Sequence, residues 1–121
     1  MTKPSSRSEQ ATRYAGMFAA MGAEPRLRIL RLLLGAHPDG MVVGEIQSEL
    51  DISPSTLSHH LEKLKNKDLV RVARESTFLR YRANAEALRE ILGFLYAECC
   101  TRSRAVEPAQ IAPRAHPSRE R

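Results

Sequence analysis

The sequence predicts a mainly α-helical domain that carries one β-hairpin, and three observations lead to this fold class. Apolar residues recur at steps of three and four along most of the chain, which is the spacing of helices that bury one face. The period changes to two over residues 70–82, around a charged turn at residues 74–77, as in a hairpin. The 121 residues, 42% of them hydrophobic, supply apolar material for one compact domain and too little for two.

Four helices are predicted before the hairpin and one after it. Pro25 and Pro54 each suit the first position of a helix, and Ser53 suits the N-cap position before Pro54. The last helix is predicted to run from about Ala85 to Cys100. The apolar residues of the five helices are, in chain order, Tyr14, Met17, Phe18 and Met21; Leu27, Leu30, Leu33 and Leu34; Val43, Ile46 and Leu50; Leu57, Leu61 and Leu64; and Leu88, Ile91, Leu92, Leu95 and Cys99.

The two ends of the chain lack this periodicity. Residues 1–12 are polar, and residues 101–121 hold five Arg, two Glu and three Pro. We therefore assign residues 1–12 to a flexible N-terminal tail, residues 13–100 to the folded domain and residues 101–121 to a disordered tail.

Positive charge is concentrated in one part of the predicted domain. The chain has 19 Lys and Arg against 14 Asp and Glu, a net charge of +5. Residues 52–82 carry +4, whereas residues 13–51 carry −1 and residues 83–100 carry −2. The fourth helix and the hairpin therefore have a basic surface, which favours a polyanionic partner.

Composition argues against several other classes of protein. No apolar run approaches the roughly 20 residues of a spanning helix, and no signal-peptide core follows the N-terminus, so we expect a cytoplasmic protein without a membrane partner. The two cysteines are adjacent and cannot link distant parts of the fold. Without a Gly-rich nucleotide loop, Cys-x-x-Cys spacing or a βαβ pattern, we expect no enzyme and no catalytic residues.

The third and fourth helices, separated by a three-residue break, match a helix-turn-helix, whose second helix enters the major groove of DNA. Small hydroxyl side chains allow close approach to the groove, and the hairpin would add a basic wing beside it. His60 is expected to be packed and hydrogen-bonded beneath the fourth helix. The alternative is that these polar residues only cap a helix and form a solvated surface. The predicted DNA contacts are Ser55, Thr56, Ser58, His59, Lys63, Arg74 and Arg80.

Over residues 12–100, the sequence resembles the ArsR/SmtB family of winged helix-turn-helix metalloregulators. The matching strings are PRLRILRLL at 25–33, SPSTLSHHL at 53–61, Leu64, LVR at 69–71 and YR at 81–82. The resemblance implies a homodimeric repressor with a helical dimer interface, formed by its first and last helices. It also implies that the repressor leaves double-stranded operator DNA when an inducer binds. Ser76 stands where the family often has a Gly at the tip of the wing, which bears on the geometry of that turn.

The family binds inducers at several alternative positions, and two of them lack their ligands in this sequence. The cysteine motif of the third-helix site would fall on Val42, Gly44 and Gln47, and residues 84–100 contain neither the His nor the Asp of the last-helix zinc site. What remains is the pair Cys99 and Cys100, which resembles a subgroup that responds to trivalent arsenic through vicinal cysteines.

The chemistry of two neighbouring thiols favours a soft, pyramidal ion over zinc, which wants four ligands. Arsenite takes three thiolates, whereas methylarsenite, with one position filled by methyl, takes two. The hypothesis is therefore a trivalent arsenical inducer at Cys99 and Cys100, either methylarsenite or arsenite and with antimonite as a further candidate, and no constitutive cofactor. The alternatives are a persulfide or another thiol-reactive signal, and cysteines that only pack, since Cys99 falls in phase with Leu92 and Leu95.

Overall fold

The structure, a computed structural model, describes residues 7–102 of the chain. Within these residues there are five helices and three strands, which confirms the predicted fold class and adds one strand. The elements are, in chain order, α1 (Arg7–Met21), α2 (Glu24–Gly35), β1 (Met41–Val42), α3 (Val43–Leu50), α4 (Pro54–Asn66), β2 (Val70–Glu75), β3 (Phe78–Ala83) and α5 (Ala85–Tyr96). None of these helices is long and apolar enough to cross a membrane.

The described chain forms two compact units. One ends at Ala85 and contains α1–α4 and the sheet, and the other begins at Glu86 and contains nearly all of α5 and the turn after it. The apolar pattern of the sequence predicts one domain, residues 13–100, over both units.

The core of the first unit is built from the apolar stripes that the sequence predicts. In α2, Pro25 stands in the first turn after the extended Ala23, and the helix turns Ile29, Leu30 and Leu33 inward. Helix α2 packs against α1, α3 and α4, so these stripes meet in one core. Its fully buried side chains are Met17, Ile29, Leu30, Leu33, Ile46, Leu57, Leu61, Leu64, Leu69 and Val70.

Helix α1 begins at Arg7, so the predicted boundary of the N-terminal tail at residue 12 is corrected. Residues 7–12 are helical, but nearly all of their side chains are exposed and the buried face of α1 begins at Tyr14. An exposed polar turn has no apolar period, and this is why the pattern missed it. The remaining predicted tail residues, 1–6 and 103–121, lie outside the described residues.

The sheet has three antiparallel strands in the order β1-β3-β2. Strand β1 is the one the sequence missed, because two residues are too few to show alternation. Met41 pairs with Tyr81 and Val42 pairs with Arg80.

Gly40 allows β1 to lie beside β3. Its φ is +78°, a backbone conformation that side chains rarely adopt, and a Cβ atom at this position would collide with the carbonyl oxygen of Tyr81 and the side chain of Arg82. Glycine is therefore required both by the turn and by the close approach of the two strands.

Replacing Gly40 by Ala should destabilise the first unit by more than about 2 kcal/mol, because the left-handed backbone alone costs an alanine roughly 1–2 kcal/mol and the collision adds to this. The measurement is urea unfolding followed by circular dichroism.

The matched control is Gly44→Ala in α3, where a Cβ atom meets nothing within 4 Å. That variant should be neutral or more stable by up to about 1 kcal/mol, since alanine favours a helix over glycine. Equal effects of the two substitutions would contradict a special role for Gly40.

Candidate DNA interface and cysteine pair

Helix α4 divides into a buried face and a polar exposed face, as predicted. Leu57, Leu61 and Leu64 are buried to 1% exposure or less. Apart from the half-buried His60, the side chains on the other faces are exposed, and they include the five predicted DNA contacts of this helix, Ser55, Thr56, Ser58, His59 and Lys63.

The turn before α4 has the geometry of a helix-turn-helix. Asp51 ends α3 in the left-handed conformation, with φ 54°, and its N–H donates to the carbonyl oxygen of Gln47 at 2.8 Å. Ser53 has the extended backbone of an N-cap residue, but its Oγ donates to Oγ1 of Thr56 at 3.0 Å and caps no backbone N–H. The backbone N–H groups at the start of α4 are therefore not satisfied by Ser53, and this positive helix end favours an anion.

His60 is hydrogen-bonded within the first unit, in agreement with the sequence analysis. Nη1 of Arg26 lies 3.3 Å from Nδ1 of His60, and Nε of Arg26 donates to the carbonyl oxygen of Ala20 at 2.6 Å. Burial, the charge of Arg26 and the nearby His59 together lower the pKa of His60. The neutral imidazole that results can accept the hydrogen bond from Arg26.

The hairpin places its arginines on two different faces. Residues paired across antiparallel strands share a face, so Arg74 lies with its partner Leu79 on the face that also carries the pair Val72 and Tyr81. The same face carries the buried pair Val70 and Ala83, so it is turned toward the core, where burial and the charge of Glu62 in α4 raise the pKa of Tyr81. The opposite face carries Arg71, Arg80 and Arg82.

Arg80 is held by groups of its own chain, which the sequence analysis did not foresee. Its Nε donates to Oε1 of Glu75 at 2.9 Å, and its Nη1 donates to the carbonyl oxygen of Gly40 at 3.3 Å. The hydrogen bond that Arg80 donates to Glu75 raises the pKa of Arg80 above its ordinary value. The structure thus separates two predicted DNA contacts: Arg74 lies on the α4 side of the wing, and Arg80 lies on the other side in an ion pair.

The tip of the wing is shorter than predicted. Glu75 pairs with Phe78, so the strands continue through two residues assigned to the turn, and Ser76 and Thr77 alone form the connection. Ser76 has φ 60°, the left-handed conformation that explains why a glycine suits this position. The spacing of Glu75 and Arg80 was visible in the sequence, but their contact depends on this register.

The two cysteines lie in a turn that follows α5, and this corrects the predicted end of the last helix. Helix α5 ends at Tyr96, and residues 97–102 form turns in which the N–H of Cys99 donates to the carbonyl oxygen of Tyr96 at 2.9 Å. Cys100 has φ 59°. Because the helix stops before them, the helical phase that relates Cys99 to Leu92 and Leu95 does not apply.

This turn brings the two sulfur atoms together. Sγ of Cys99 and Sγ of Cys100 are 3.3 Å apart, and both residues are half-buried. The hydrogen bond with Cys100, burial and the charge of Cys100 raise the pKa of the Cys99 thiol above its ordinary value of 9.0. A cavity of about 450 Å³ adjoins the pair and is lined by Glu98, Cys100, Thr101 and Arg102.

The separation of the sulfurs suits a pyramidal ion better than a tetrahedral one. At the distance of about 2.3 Å that thiolates keep from zinc, sulfurs 3.3 Å apart subtend about 92° at a shared ion. Tetrahedral coordination would hold them about 3.8 Å apart at the same bond length. Among residues 7–102, no group of three or more His, Cys, Asp and Glu is placed to hold a metal ion.

Comparisons with known proteins identify the class of regulator. Residues 22–73 match a family described as a helix-turn-helix domain. The chain is 35% identical over 92 residues to the nodulation protein NolR of Rhizobium meliloti, covering 76% of this chain and 73% of that protein. It is 30% identical over 79 residues to the transcriptional repressor SdpR of Bacillus subtilis, covering 65% of this chain and 84% of that protein.

Solved structures share the fold. An ArsR-like transcriptional regulator from Rhodococcus sp. RHA1 has a TM-score of 0.64 at 27% identity, over 77% of this chain and 88% of that chain. The homodimeric winged helix-turn-helix DNA-binding domain of Mb0332 from Mycobacterium bovis has a TM-score of 0.61 at 25% identity, over 88% of this chain and all of that domain. This chain therefore belongs to the ArsR-type winged helix-turn-helix family of transcriptional regulators.

Proposed function

We propose that the protein is a homodimeric repressor that binds operator DNA through α4 and releases it when a trivalent arsenical binds Cys99 and Cys100. The observation that supports DNA binding is the exposed polar face of α4, whose opposite face is anchored in the core. The observation that supports the arsenical is the 3.3 Å separation of the two sulfurs.

In this proposal α4 lies in the major groove. Ser55 and Ser58 approach phosphates and base edges, His59 contacts base edges, and Lys63 neutralises the backbone. From the wing we assign the contact to Arg74, because the guanidinium of Arg80 is already paired with Glu75. Two recognition helices would enter successive grooves about 34–36 Å apart on a near-palindromic operator.

Two observations support the proposal that the protein dimerises: the exposed apolar side chains of α5 and the homodimeric state of a similar domain. Helix α5 exposes Leu92 to 41%, Leu95 to 53% and Tyr96 to 39%, at the spacing of one helix face, and grouped exposed apolar side chains often mark an interaction surface. The domain of Mb0332 is homodimeric. We propose that the first and last helices form the dimer contact, as the family resemblance implies.

The two thiols of the chain match the two bonds to sulfur that methylarsenite can form. The exchange of the two hydroxyl groups of methylarsenite for two thiols forms two arsenic–sulfur bonds and releases two water molecules. The methyl group keeps the third position, and the cavity beside Cys100 has room for it. Because the pair directly follows the proposed dimer helix, binding there would shift the spacing of the two recognition helices. Couplings of this kind are typically 1–3 kcal/mol, or roughly 5 to 150-fold in affinity.

Replacing Ser55 by Asp should weaken DNA binding by at least about tenfold, because a carboxylate then faces the phosphates. The fold should survive, since an acidic residue in the first turn of a helix is stabilising by about 0.3–1 kcal/mol. The measurement is fluorescence anisotropy with a DNA sequence selected from a random pool by the wild-type protein, together with thermal unfolding.

The matched control is Ser48→Asp, which makes the same change at an exposed position of α3. It should alter affinity by less than about threefold, through screened long-range charge alone. Equal losses in the two variants, or a wild-type protein that selects no sequence, would contradict recognition by α4.

Replacing both cysteines by Ser should leave the affinity for DNA within about twofold and abolish release by methylarsenite. The double variant is free of cysteine, since the chain has only two. In the wild type, methylarsenite should release DNA at lower concentration than arsenite, antimonite or zinc.

Other outcomes distinguish the alternatives. Loss of DNA binding by the double variant without any arsenical would show that the cysteines are structural. Release of the wild type by a persulfide and not by methylarsenite would show a thiol-reactive sensor. Arsenite as effective as methylarsenite would require a third ligand to arsenic.

The pH dependence of Cys99 separates arsenical binding from thiolate chemistry. A raised pKa means that Cys99 keeps its proton to higher pH, so its alkylation by iodoacetamide should be slow at pH 7 and accelerate about tenfold per pH unit toward pH 9. Equilibrium binding of methylarsenite should stay nearly constant over this range, because protonated thiols and hydroxyl groups leave only water. Mass spectrometry of the peptide that contains Cys99 reports the alkylation rate, and fluorescence anisotropy of the DNA reports the binding of methylarsenite.

An alkylation rate that levels off below pH 8 would contradict the raised pKa. It would indicate the activated thiolate that a persulfide or peroxide sensor needs.

A further inference from the structure

A basic cleft lies between α1, α2 and α4, on the first unit and away from the cysteine pair in sequence. It has a volume of about 480 Å³. Small residues of α1, Gly16, Ala19 and Ala20, form one side of it. Three cationic side chains, Arg26, Lys63 and Lys67, line the rest, with the amide of Asn66 between the two lysines in sequence.

Among the described residues, no carboxylate neutralises the charge of the two lysines in this cleft. On the same helix, Lys65 lies outside the cleft and pairs with Glu62 at 3.7 Å. Within residues 7–102, Lys63 and Lys67 make no salt bridge, and the described residues that line the cleft include no carboxylate. Two lysines four residues apart repel each other along the helix, so an anion bound between them would reduce this repulsion.

The cations are held in place to different degrees. Arg26 is fixed by its hydrogen bonds to the carbonyl oxygen of Ala20 and to His60. The ammonium of Lys67 lies against Gly16, close enough that a Cβ atom there would be 3.3 Å from Nζ. The absence of a side chain at Gly16 therefore keeps the cleft open beside Lys67.

We propose that this cleft binds a phosphate group. A guanidinium and two ammonium groups around one space attract the negative charge of a phosphate, and charge-assisted hydrogen bonds to phosphate oxygens are among the strongest polar contacts. Asn66 adds a neutral donor. The phosphate can belong to a soluble phosphate monoester or to the DNA backbone, since Lys63 also borders the exposed face of α4.

The first experiment tests whether the cleft binds a soluble phosphate, and its result does not depend on DNA binding. Inorganic phosphate or pyrophosphate is titrated into the full chain at pH 8 and constant ionic strength, with the amide signals of Gly16, Ala19 and Ala20 followed by NMR. The wild type should show saturable shifts, and Lys67→Gln should bind about tenfold more weakly. Lys65→Gln removes the same charge from the same helix outside the cleft, and it should bind within about twofold of the wild type.

The second arm measures the salt dependence of DNA binding for the same three proteins, and it rests on the proposed function. If the phosphate is that of DNA, Lys67→Gln should lower the slope of log affinity against log salt by about 0.9 relative to Lys65→Gln. Saturable phosphate binding with an unchanged slope assigns the cleft to a soluble monoester. A lower slope without phosphate binding assigns it to DNA. Equal behaviour of the two lysine variants in both arms overturns the proposal.

Discussion

The burial of three leucines on one face of α4 is the constraint on which the rest of the site depends. Leu57, Leu61 and Leu64 have 1% exposure or less, and each contributes roughly 1.5–3 kcal/mol to folding. Their spacing determines the rotation of α4 about its axis, so Ser55 and His59 must face solvent. A recognition surface held by a core in this way needs no polar contact to orient it, and its side chains stay available for a partner.

Electrostatics then selects among the basic residues around that surface. Of the four arginines of the wing, Arg80 and Arg82 pair with Glu75 at 2.9 Å and 3.8 Å. Arg71 and Arg74 make no salt bridge among the described residues, and of these two only Arg74 lies on the face that carries Val72 and Tyr81. On α4 itself, Glu62 pairs with Lys65 and not with Lys63. Among the described residues, unpaired positive charge of this segment therefore remains on Arg71 and Arg74 of the wing and on Lys63 and Lys67 at the cleft of α4 with α1 and α2.

The cysteine pair obeys a different constraint, that of a chain leaving a helix. Within a continuing helix, neighbouring side chains diverge by about 100°. Here the helix has ended, and the left-handed backbone of Cys100 turns the two sulfurs to 3.3 Å from each other. The same proximity raises the pKa of Cys99, first through the hydrogen bond with Cys100 and then through burial and the charge of Cys100. This arrangement therefore suits the binding of a soft, neutral arsenical better than it suits a reaction that needs a free thiolate.

The sequence by itself determined the helices, the hairpin and the polar face of α4, because each depends on local periodicity and on side-chain types at fixed spacing. It also predicted that His60 would be packed. Only the tertiary structure decided that β1 joins the sheet, that Arg80 is paired with Glu75 and that Arg26, Lys63 and Lys67 share a cleft. These features depend on strand register and on the packing of helices far apart in the chain, and no short window of sequence contains that information.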